Sequence, residues 1–264
     1  MFVQFNQLHQ CSIFFVSEII WGIHPVQEAL RGGVAIDRIY VGDGRKGAGI
    51  HDIVREAKAR GIEVRFEPHE RLAKRTQGQA NHQGVVAVTV AFEYASLETL
   101  LNVAKRRDEP PFLLVLDQIQ DPHNFGAILR SAECAGAHGV IIAKRKAAEV
   151  TPIVVKAAAG ATAYLPICRV TNIAETLEEL KQHGLWIIGS SDQATQTFTT
   201  ADLTGAIALV IGNEGEGIRR LVAERCDLMV SIPLYGKVSS LNASVASALL
   251  AFEVRQQRNR RKLY

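Results

Sequence analysis

The sequence predicts a mixed α/β protein, with a small α/β domain followed by a larger domain built on a parallel sheet. After Phe112, continuous apolar strands alternate strictly with helices, a pattern typical of a parallel sheet covered on both faces. Pro110 and Pro111 can neither continue a helix nor join a central strand, so they separate this region from the shorter elements before it. The 264 residues are enough for two such domains.

The smaller domain is predicted over residues 18–94. Its segments in chain order are a strand and helix in IIWGIHPVQEALRGG, a strand in IDRIYVGDG, a helix in GIHDIVREAKARG, a strand in IEVRFEP, a basic helix in HERLAKRTQG and a strand in GVVAVTVAF. Residues 1–17 lack the basic start and long apolar core of a secretory signal. We expect them to form a disordered N-terminal extension.

Residues 95–111 are predicted to link the two domains through a helix that begins at Ser96. The larger domain covers residues 112–264. Its predicted strands are FLLVLD, GVIIA, LPICRV, LWIIGS, AIALVIG and LMVSIP. Helices are predicted between them, one starting at Thr151-Pro152 and one capped by Asn172. The last helix is predicted from about Asn242 to Arg258.

The composition is that of an ordinary globular protein, with 47% hydrophobic residues and a net charge of +3. It excludes a disordered chain, a collagen and a coiled coil. No run of about 18 apolar residues occurs, so we expect no membrane span. The four cysteines form no CxxC motif and the histidines form no HxxxH pair. We therefore expect reduced thiols, a cytoplasmic protein and no metal site.

Three basic runs stand out against this nearly neutral background: Lys105–Arg107, Lys144–Lys146 and the C-terminal stretch from Arg255 to Lys262. Each is either a solvated face or an edge that contacts the phosphates of a nucleic acid. The sequence leaves both interpretations open.

Three polar or glycine-rich loops follow strands of the predicted parallel sheet. Ligands of such sheets bind beyond the carboxyl ends of the strands. The first loop runs from Asp117 to Gly126, where Asn124 can cap the following helix. The side chain of Arg130 can reach back towards this loop because helical side chains lean towards the N-terminus. A capped helix with a surface arginine is the alternative.

The second loop, Gly212–Gly217, contains three glycines that allow a close approach of backbone to ligand. Its spacing does not match the GxGxxG motif of dinucleotide-binding folds, because Glu214 and Arg220 stand where glycines are needed. The Glu214 carboxylate would also repel a pyrophosphate. It suits a hydroxyl, an amine or a cation better.

The third loop spans residues 232–244. Its backbone could hydrogen-bond an adenine edge while Ile232 and Leu241 pack on the faces of the base, and Lys237 could meet a phosphate. Helix capping is the alternative role for the three polar residues Ser239, Ser240 and Asn242.

In this order, the segments DPHNFGAILRSAECAG, LVIGNEGEGIRRL and IPLYGKVSSLNASVASALLAFEV resemble the three motifs of the SpoU (TrmH-type) RNA 2′-O-ribose methyltransferases. The resemblance covers residues 112–258. The segment 19–90, with WGIHPVQEAL and HQGVVA, resembles the small L30e-like RNA-binding domain found in many members. This layout is most similar to the members that methylate a guanosine ribose in the peptidyl-transferase region of 23S rRNA.

The resemblance implies a SPOUT-type catalytic domain with a deep trefoil knot, S-adenosylmethionine as methyl donor, and a homodimer with the active site at the subunit interface. The implied catalytic residues are Asn124, Arg130, Glu214, Ser240 and Asn242. The implied cofactor-binding residues are Gly189, Gly212, Ile232 and Leu241. Separately from the resemblance, Arg71, Lys74 and Arg75 of the small domain, Lys105–Arg107 of the linker and Lys237 are predicted RNA phosphate contacts, with a solvated face as the alternative for the two basic runs.

The family mechanism assigns the general base to the arginine of the first motif, here Arg130. A guanidinium scarcely deprotonates, so we expect Arg130 to stabilise the developing 2′-oxyanion instead. Three alternatives to the 23S rRNA enzyme are a tRNA ribose methyltransferase, a non-catalytic RNA-binding protein and a dinucleotide-dependent oxidoreductase. The failed glycine spacing disfavours the last of these.

Overall fold

A computed structural model describes residues 19–31, 34–45, 47–76, 78, 82–90 and 92–262. The expected extension of residues 1–17 lies outside the described residues. By contacts the chain divides into two compact units, residues 1–91 and 92–264. Each unit is described below by itself.

The first unit is built on a four-stranded sheet in the order β1-β4-β2-β3. Its strands are β1 (Ile19–Trp21), β2 (Ile36–Gly42), β3 (Glu63–Glu67) and β4 (Val85–Thr89). Strand β4 is antiparallel to β1 and β2, whereas β2 and β3 are parallel. The helices are α1 (Ile23–Arg31), α2 (Ala48–Ala59) and α3 (His69–Arg75). The helix predicted in GIHDIVREAKARG is present as α2, and Ile50, Ile53 and Ala57 form its buried face.

The second unit contains a seven-stranded sheet in the order β7-β6-β5-β10-β8-β11-β9, and every neighbouring pair in it is parallel. Its strands are β5 (Phe112–Leu116), β6 (Gly139–Ala143), β7 (Ile167–Val170), β8 (Trp186–Ser190), β9 (Gln196–Thr197), β10 (Ile207–Ile211) and β11 (Leu228–Ser231). The predicted α/β class, with a parallel C-terminal sheet after a small α/β domain, is confirmed. The trefoil knot stays a prediction.

Helices cover both faces of this sheet. They are α4 (Leu97–Arg107), α5 (Pro122–Cys134), α6 (Pro152–Ala158), α7 (Ile173–Gln182), α8 (Arg220–Ala223) and α9 (Ala243–Lys262), with a 3₁₀ turn at Ala161–Ala163. In β5, Phe112, Leu114 and Leu116 pack in one buried cluster with α5, α6 and α9. Leu113 and Val115 pack in the other, with α4 and α7. Burial on both faces explains why these strands have continuous apolar sequences.

The N-terminus of α5 differs from the prediction. Asp121, rather than Asn124, is the capping residue, and its Oδ1 accepts hydrogen bonds from the backbone N–H groups of His123 (2.6 Å) and Asn124 (3.2 Å). Pro122 then occupies the first turn, where its missing N–H costs nothing. The Asn124 side chain is therefore available for another role.

The predicted linker also differs from the structure. Residues 95–111 belong to the second unit by contacts, because Leu100 and Ala104 of α4 are buried against its sheet. A Cβ on Gly139 of β6 would lie only 2.2 Å from Leu100 Cγ, so this helix packs directly on the strand. The helix itself begins as predicted, with the Ser96 Oγ accepting from the Thr99 N–H.

The basic stretch near the C-terminus has a third role that the sequence analysis did not consider. Arg258 is 6% exposed and donates to the carbonyl oxygens of Pro110 (2.8 Å), Pro111 (3.0 Å) and Gly205 (2.6 Å). Arg255 donates to Ala135 O and Gly136 O. These arginines of α9 bind the chain just before β5, β6 and β10 begin.

None of the helices within the described residues combines the length and the apolar character needed to cross a membrane.

Candidate active site

Three polar side chains from three separate loops meet beyond the carboxyl ends of the strands in the second unit. Asn124 lies in the first turn of α5 after β5, Glu214 follows β10, and Asn242 precedes α9 after β11. Asn124 Nδ2 lies 2.5 Å from Glu214 Oε1, and Asn242 Nδ2 lies 2.9 Å from Asn124 Oδ1. The three motif loops found in the sequence are thus joined by side-chain hydrogen bonds.

Glu214 is the centre of this cluster. Its Oε1 also accepts from Asn242 Nδ2 at 3.3 Å and from the backbone N–H of Ala243 at 3.2 Å. Ala243 is the first residue of α9, where the helix dipole and the unpaired N–H groups favour a negative charge. Asn242 Oδ1 in turn accepts from the Ser244 N–H at 2.9 Å, so Asn242 also serves the capping role considered for it.

An ion pair between a buried aspartate and an exposed arginine, which the sequence analysis missed, anchors the second loop. Asp117 directly follows β5 and is fully buried, and its carboxylate accepts from Arg219 through the backbone N–H (2.9 Å), Nε (2.8 Å) and Nη2 (2.6 Å). An acidic residue at the end of an apolar strand was the available signal. Removing Arg219 is expected to be costly, because the buried Asp117 carboxylate would lose its charged partner.

The loop between β10 and α8 is a tight turn. Asn213 and Gly217 exchange backbone hydrogen bonds of 3.1 and 2.8 Å, and Asn213 Nδ2 donates to Gln118 O at 3.2 Å. A Cβ on Gly212 would lie 2.2 Å from the Gly217 carbonyl carbon. Glycine is therefore required at residue 212 by the turn itself, and the turn fixes where Glu214 stands.

A cavity of about 520 Å³ lies beside this cluster. That volume is within the roughly 300–1,000 Å³ range of small-molecule sites. Five of the residues predicted to form the site line it: Gly212, Glu214, Ile232, Ser240 and Leu241. Its wall also contains Ser190, Ser191, Asp192 and Gln193, which the sequence analysis did not single out.

Gly189, a predicted cofactor contact, does not line the cavity. A Cβ at this position would lie 2.5 Å from Met229 Sδ and 2.8 Å from Cys226 Sγ. Gly189 therefore allows β8 to pack against these sulfur atoms, and the residues that follow it form the cavity wall. Burial raises the pKa of the Cys226 thiol to about 12, which keeps this sulfur protonated and unreactive.

Arg130 and Lys237 lie outside the hydrogen-bonded cluster and do not line the cavity. Arg130, on α5, is exposed, and no residue in the described part of the chain pairs with its guanidinium. Lys237 is exposed in the loop after β11. Among the described residues, no group of three His, Cys, Asp or Glu side chains is placed to hold a metal ion.

Comparison with known proteins decides the family. Residues 111–252, more than half of the chain, match the model of the SpoU rRNA Methylase family. The chain belongs to this family. Residues 19–95 match a second model, RNA 2′-O ribose methyltransferase substrate binding. The predicted family and the predicted RNA methyltransferase activity are confirmed.

Relatives of this SpoU family member match over nearly their whole length. The chain is 45% identical over 245 residues to the 23S rRNA (guanosine-2′-O-)-methyltransferase RlmB of Ralstonia nicotianae, covering 92% of this chain and 97% of that protein. It is 42% identical to YacO of Bacillus subtilis, named as a TrmH family tRNA/rRNA methyltransferase, covering 92% and 96%. The SpoU methyltransferase AviRb of Streptomyces viridochromogenes, solved in complex with AdoMet, is 26% identical with a TM-score of 0.63, covering 92% and 91%.

The unit that matches the SpoU substrate-binding model contains three of the predicted RNA contacts. Arg71 and Lys74 are exposed on α3. Arg75 is not free, because its Nε and Nη2 donate to the Glu67 carboxylate at 3.0 and 2.9 Å and its guanidinium stacks 3.7 Å from the Tyr40 ring centroid. The paired guanidinium also holds the pKa of Glu67 below its usual range. Arg75 therefore has a structural role.

Proposed function

We propose that the protein transfers the methyl group of S-adenosylmethionine to the 2′-oxygen of a guanosine ribose in the peptidyl-transferase region of 23S rRNA. The observation that carries the proposal is the hydrogen-bonded cluster of Asn124, Glu214 and Asn242 beside a cavity of about 520 Å³. The cluster and cavity supply, in one place, polar groups for a ribose and space for a cofactor.

The chemistry of the cavity wall fits S-adenosylmethionine. Ile232 and Leu241 offer apolar surfaces for a purine, while Ser190, Ser191 and Asp192 offer hydroxyl and carboxylate groups for a ribose or an amino acid group. When bound, the cofactor supplies an electrophilic methyl group on a sulfonium. The wall residues would hold that group in a fixed orientation, which is the main requirement of an in-line transfer.

Glu214, Asn124 and Asn242 position the acceptor ribose. Because Glu214 Oε1 accepts from three donors, its carboxylate is fixed in place, and it holds both asparagine side chains. Ser240, exposed at the cavity, is the further polar group available to a 2′-hydroxyl. A tRNA alternative shares all of these residues.

Arg130 stabilises the 2′-oxyanion as it develops and contacts the neighbouring phosphate. Its guanidinium is exposed and has no partner in the described part of the chain, which supports this role because it can meet an incoming anion. A pH–rate profile of the wild type and of Arg130→Lys tests it. The expected result is the same pH dependence with a lower rate, whereas a shift of the kinetic pKa towards the value of lysine would identify Arg130 as the general base.

The 23S rRNA assignment is supported by the match of residues 111–252 to an rRNA methylase model and by the 45% identity to RlmB. In this proposal Arg71, Lys74 and Lys237 contact RNA phosphates. The expected location is the cytoplasm. Ribose-methylation mapping of rRNA from cells lacking the gene is the decisive test, and one missing 2′-O-methylguanosine in the peptidyl-transferase region is the expected result.

Methyl incorporation in vitro separates the two RNA classes. The expected acceptor is a deproteinised 23S rRNA fragment, and incorporation into tRNA with none into 23S rRNA would favour the alternative. We also infer a homodimer with the active site at the subunit interface. Sedimentation equilibrium is expected to give twice the mass of the 28.9 kDa chain.

A further inference from the structure

The loop after β11 leaves the cavity wall and returns to it. Leu234 lines the cavity, as do Ser239 and Ser240, but the four residues between them, 235–238, do not. These four residues are all exposed, and we call them the tip of the loop. At this tip the Tyr235 side chain is 96% exposed and Val238 is 75% exposed.

Such exposure is unusual for a large aromatic side chain. Tyrosine normally buries much of its ring and pairs its hydroxyl group. Here no hydrogen bond from the described residues holds the Tyr235 side chain, and Gly236 next to it has open space around it. The ring is therefore available to an external partner right beside the cavity.

The carboxylates of Asp192, Glu214 and Glu216 line the neighbouring cavity, whereas the tip itself carries a single positive charge, which favours an anionic partner at the tip. Residues 228–252 contain no aspartate or glutamate, and their one charged side chain is Lys237, two residues from Tyr235. An aromatic ring next to a lysine, free of nearby acids in the chain, is the combination that binds single-stranded nucleic acid, through base stacking and a phosphate contact.

Building on the function proposed above, we propose that Tyr235 and Lys237 form a subsite for the nucleotide next to the methylated one. The Tyr235 ring stacks on the splayed base of that nucleotide, and Lys237 contacts its phosphate. This subsite would hold the RNA strand across the rim so that the neighbouring ribose enters beside Glu214. Tyr235 is thus a positioning residue that acts on RNA affinity, and the cofactor cavity does not depend on it.

The test compares Tyr235→Ala with Tyr164→Ala, which removes another exposed tyrosine of the same unit, away from the cavity wall. Binding of a labelled 23S rRNA fragment is measured by fluorescence anisotropy, separately from turnover. Tyr235→Ala is expected to weaken RNA binding roughly tenfold or more, the size of one lost base–aromatic stack. Tyr235→Phe, which keeps the ring, is expected to restore most of this affinity.

Two further readouts separate RNA stacking from other roles. The affinity of Tyr235→Ala for S-adenosylmethionine, measured by calorimetry, is expected to equal that of the wild type. For Lys237→Ala, the slope of log RNA affinity against log salt concentration is expected to fall in magnitude by about one. Unchanged RNA affinity in Tyr235→Ala would overturn the proposal. A lower mass for Tyr235→Ala than for the wild type in sedimentation equilibrium would also overturn it, because the ring would then be a contact between subunits.

The same measurements distinguish a failure of this subsite from a failure of the proposed function. If the wild type binds the fragment without methylating it, the proposed substrate is wrong, while the comparison of variants still measures stacking. If the wild type does not bind the fragment at all, the subsite is wrong as well.

Discussion

At the carboxyl end of the seven-stranded sheet, Asn124, Glu214 and Asn242 hydrogen-bond to one another beside an open cavity, and Arg130 is exposed without a partner among the described residues. At the amino end, Arg258 is buried and donates to three backbone carbonyl oxygens. Both ends use polar and charged side chains. One end leaves hydrogen-bonding groups accessible to ligands, and the other uses them to hold strands and helices together.

This difference shows how little a basic residue in a sequence says about its partner. Arg255 and Arg258 belong to a run that could have contacted RNA phosphates, but Arg258 donates to carbonyl oxygens of the same chain, and Arg255 donates to carbonyl oxygens and to the Glu109 carboxylate. Burial lowers the pKa of Arg258 to about 10, which reflects how little solvent reaches the guanidinium. Substitutions at the two ends should therefore affect different properties.

The largest expected effect is on catalysis, at the carboxyl end. Arg130→Ala should lower kcat by roughly 100- to 1,000-fold, because the proposed mechanism then loses a donor to the developing oxyanion. The free energy of unfolding should change by less than about 0.5 kcal/mol, since the side chain is exposed and unpaired within the described residues. Methyl-transfer assays and urea unfolding measure both quantities. Arg220→Ala, which removes an exposed arginine paired with Glu224, is the matched control.

A large loss of stability in Arg130→Ala, with kcat reduced only in proportion to the unfolded fraction, would remove the contrast between the two ends.

The next effect is on stability, at the amino end. Arg258→Ala should lower the free energy of unfolding by about 3 kcal/mol, because the carbonyl oxygens of Pro110, Pro111 and Gly205 lose their donor in a buried place. Well below the unfolding temperature, kcat should be nearly that of the wild type. The control is Arg260→Ala, which removes an exposed arginine of the same helix and should change stability by less than about 0.5 kcal/mol.

Equal urea midpoints for the two variants would show that the contacts of Arg258 contribute nothing to stability.

The smallest expected effect is on the pH dependence of stability, and it also concerns a residue at the amino end of the sheet. His138 is fully buried and its Nδ1 accepts from the Phe112 N–H at 2.9 Å. Burial, together with the charge of Arg107, lowers its pKa to about 4. Between about pH 6.5 and 4 the unfolded chain therefore binds a proton that the folded chain does not, so stability is lost as the pH falls through this window.

His138→Asn keeps an acceptor for Phe112 and cannot titrate. Its free energy of unfolding should fall less than that of the wild type between pH 7 and pH 5, as measured by urea unfolding at each pH. His183→Asn, which replaces an exposed histidine, serves as the control. Parallel curves for His138→Asn and the wild type would contradict the assignment.

The sequence predicted the features that depend on local pattern. Apolar strands buried on both faces identified the parallel sheet, and its topology required the polar loops at Asn124, Glu214 and Asn242 to lie at one edge. The capping residue of α5 was misassigned, because Asp121 and Asn124 both have side chains able to cap a helix.

Contacts between distant residues were not predictable in this way. Asp117 and Arg219 are 102 residues apart, and nothing in either local sequence marks them as a pair. Arg258 lies 147 residues from Pro111, so its role depends on how α9 packs. The same limit explains why the helix at Leu100 was assigned to a linker: its burial comes from Gly139, which lies far along the chain.

The separation of the three clustered residues also has a consequence for biosynthesis. Glu214 is 90 residues from Asn124, and Asn242 is 118 residues from Asn124. Asn242 immediately precedes the last helix of the described chain, whose first N–H also binds Glu214. A ribosome-bound chain that has not yet released this helix therefore cannot form the hydrogen-bonded cluster of Asn124, Glu214 and Asn242. The enzyme should acquire activity only after this helix has left the ribosome.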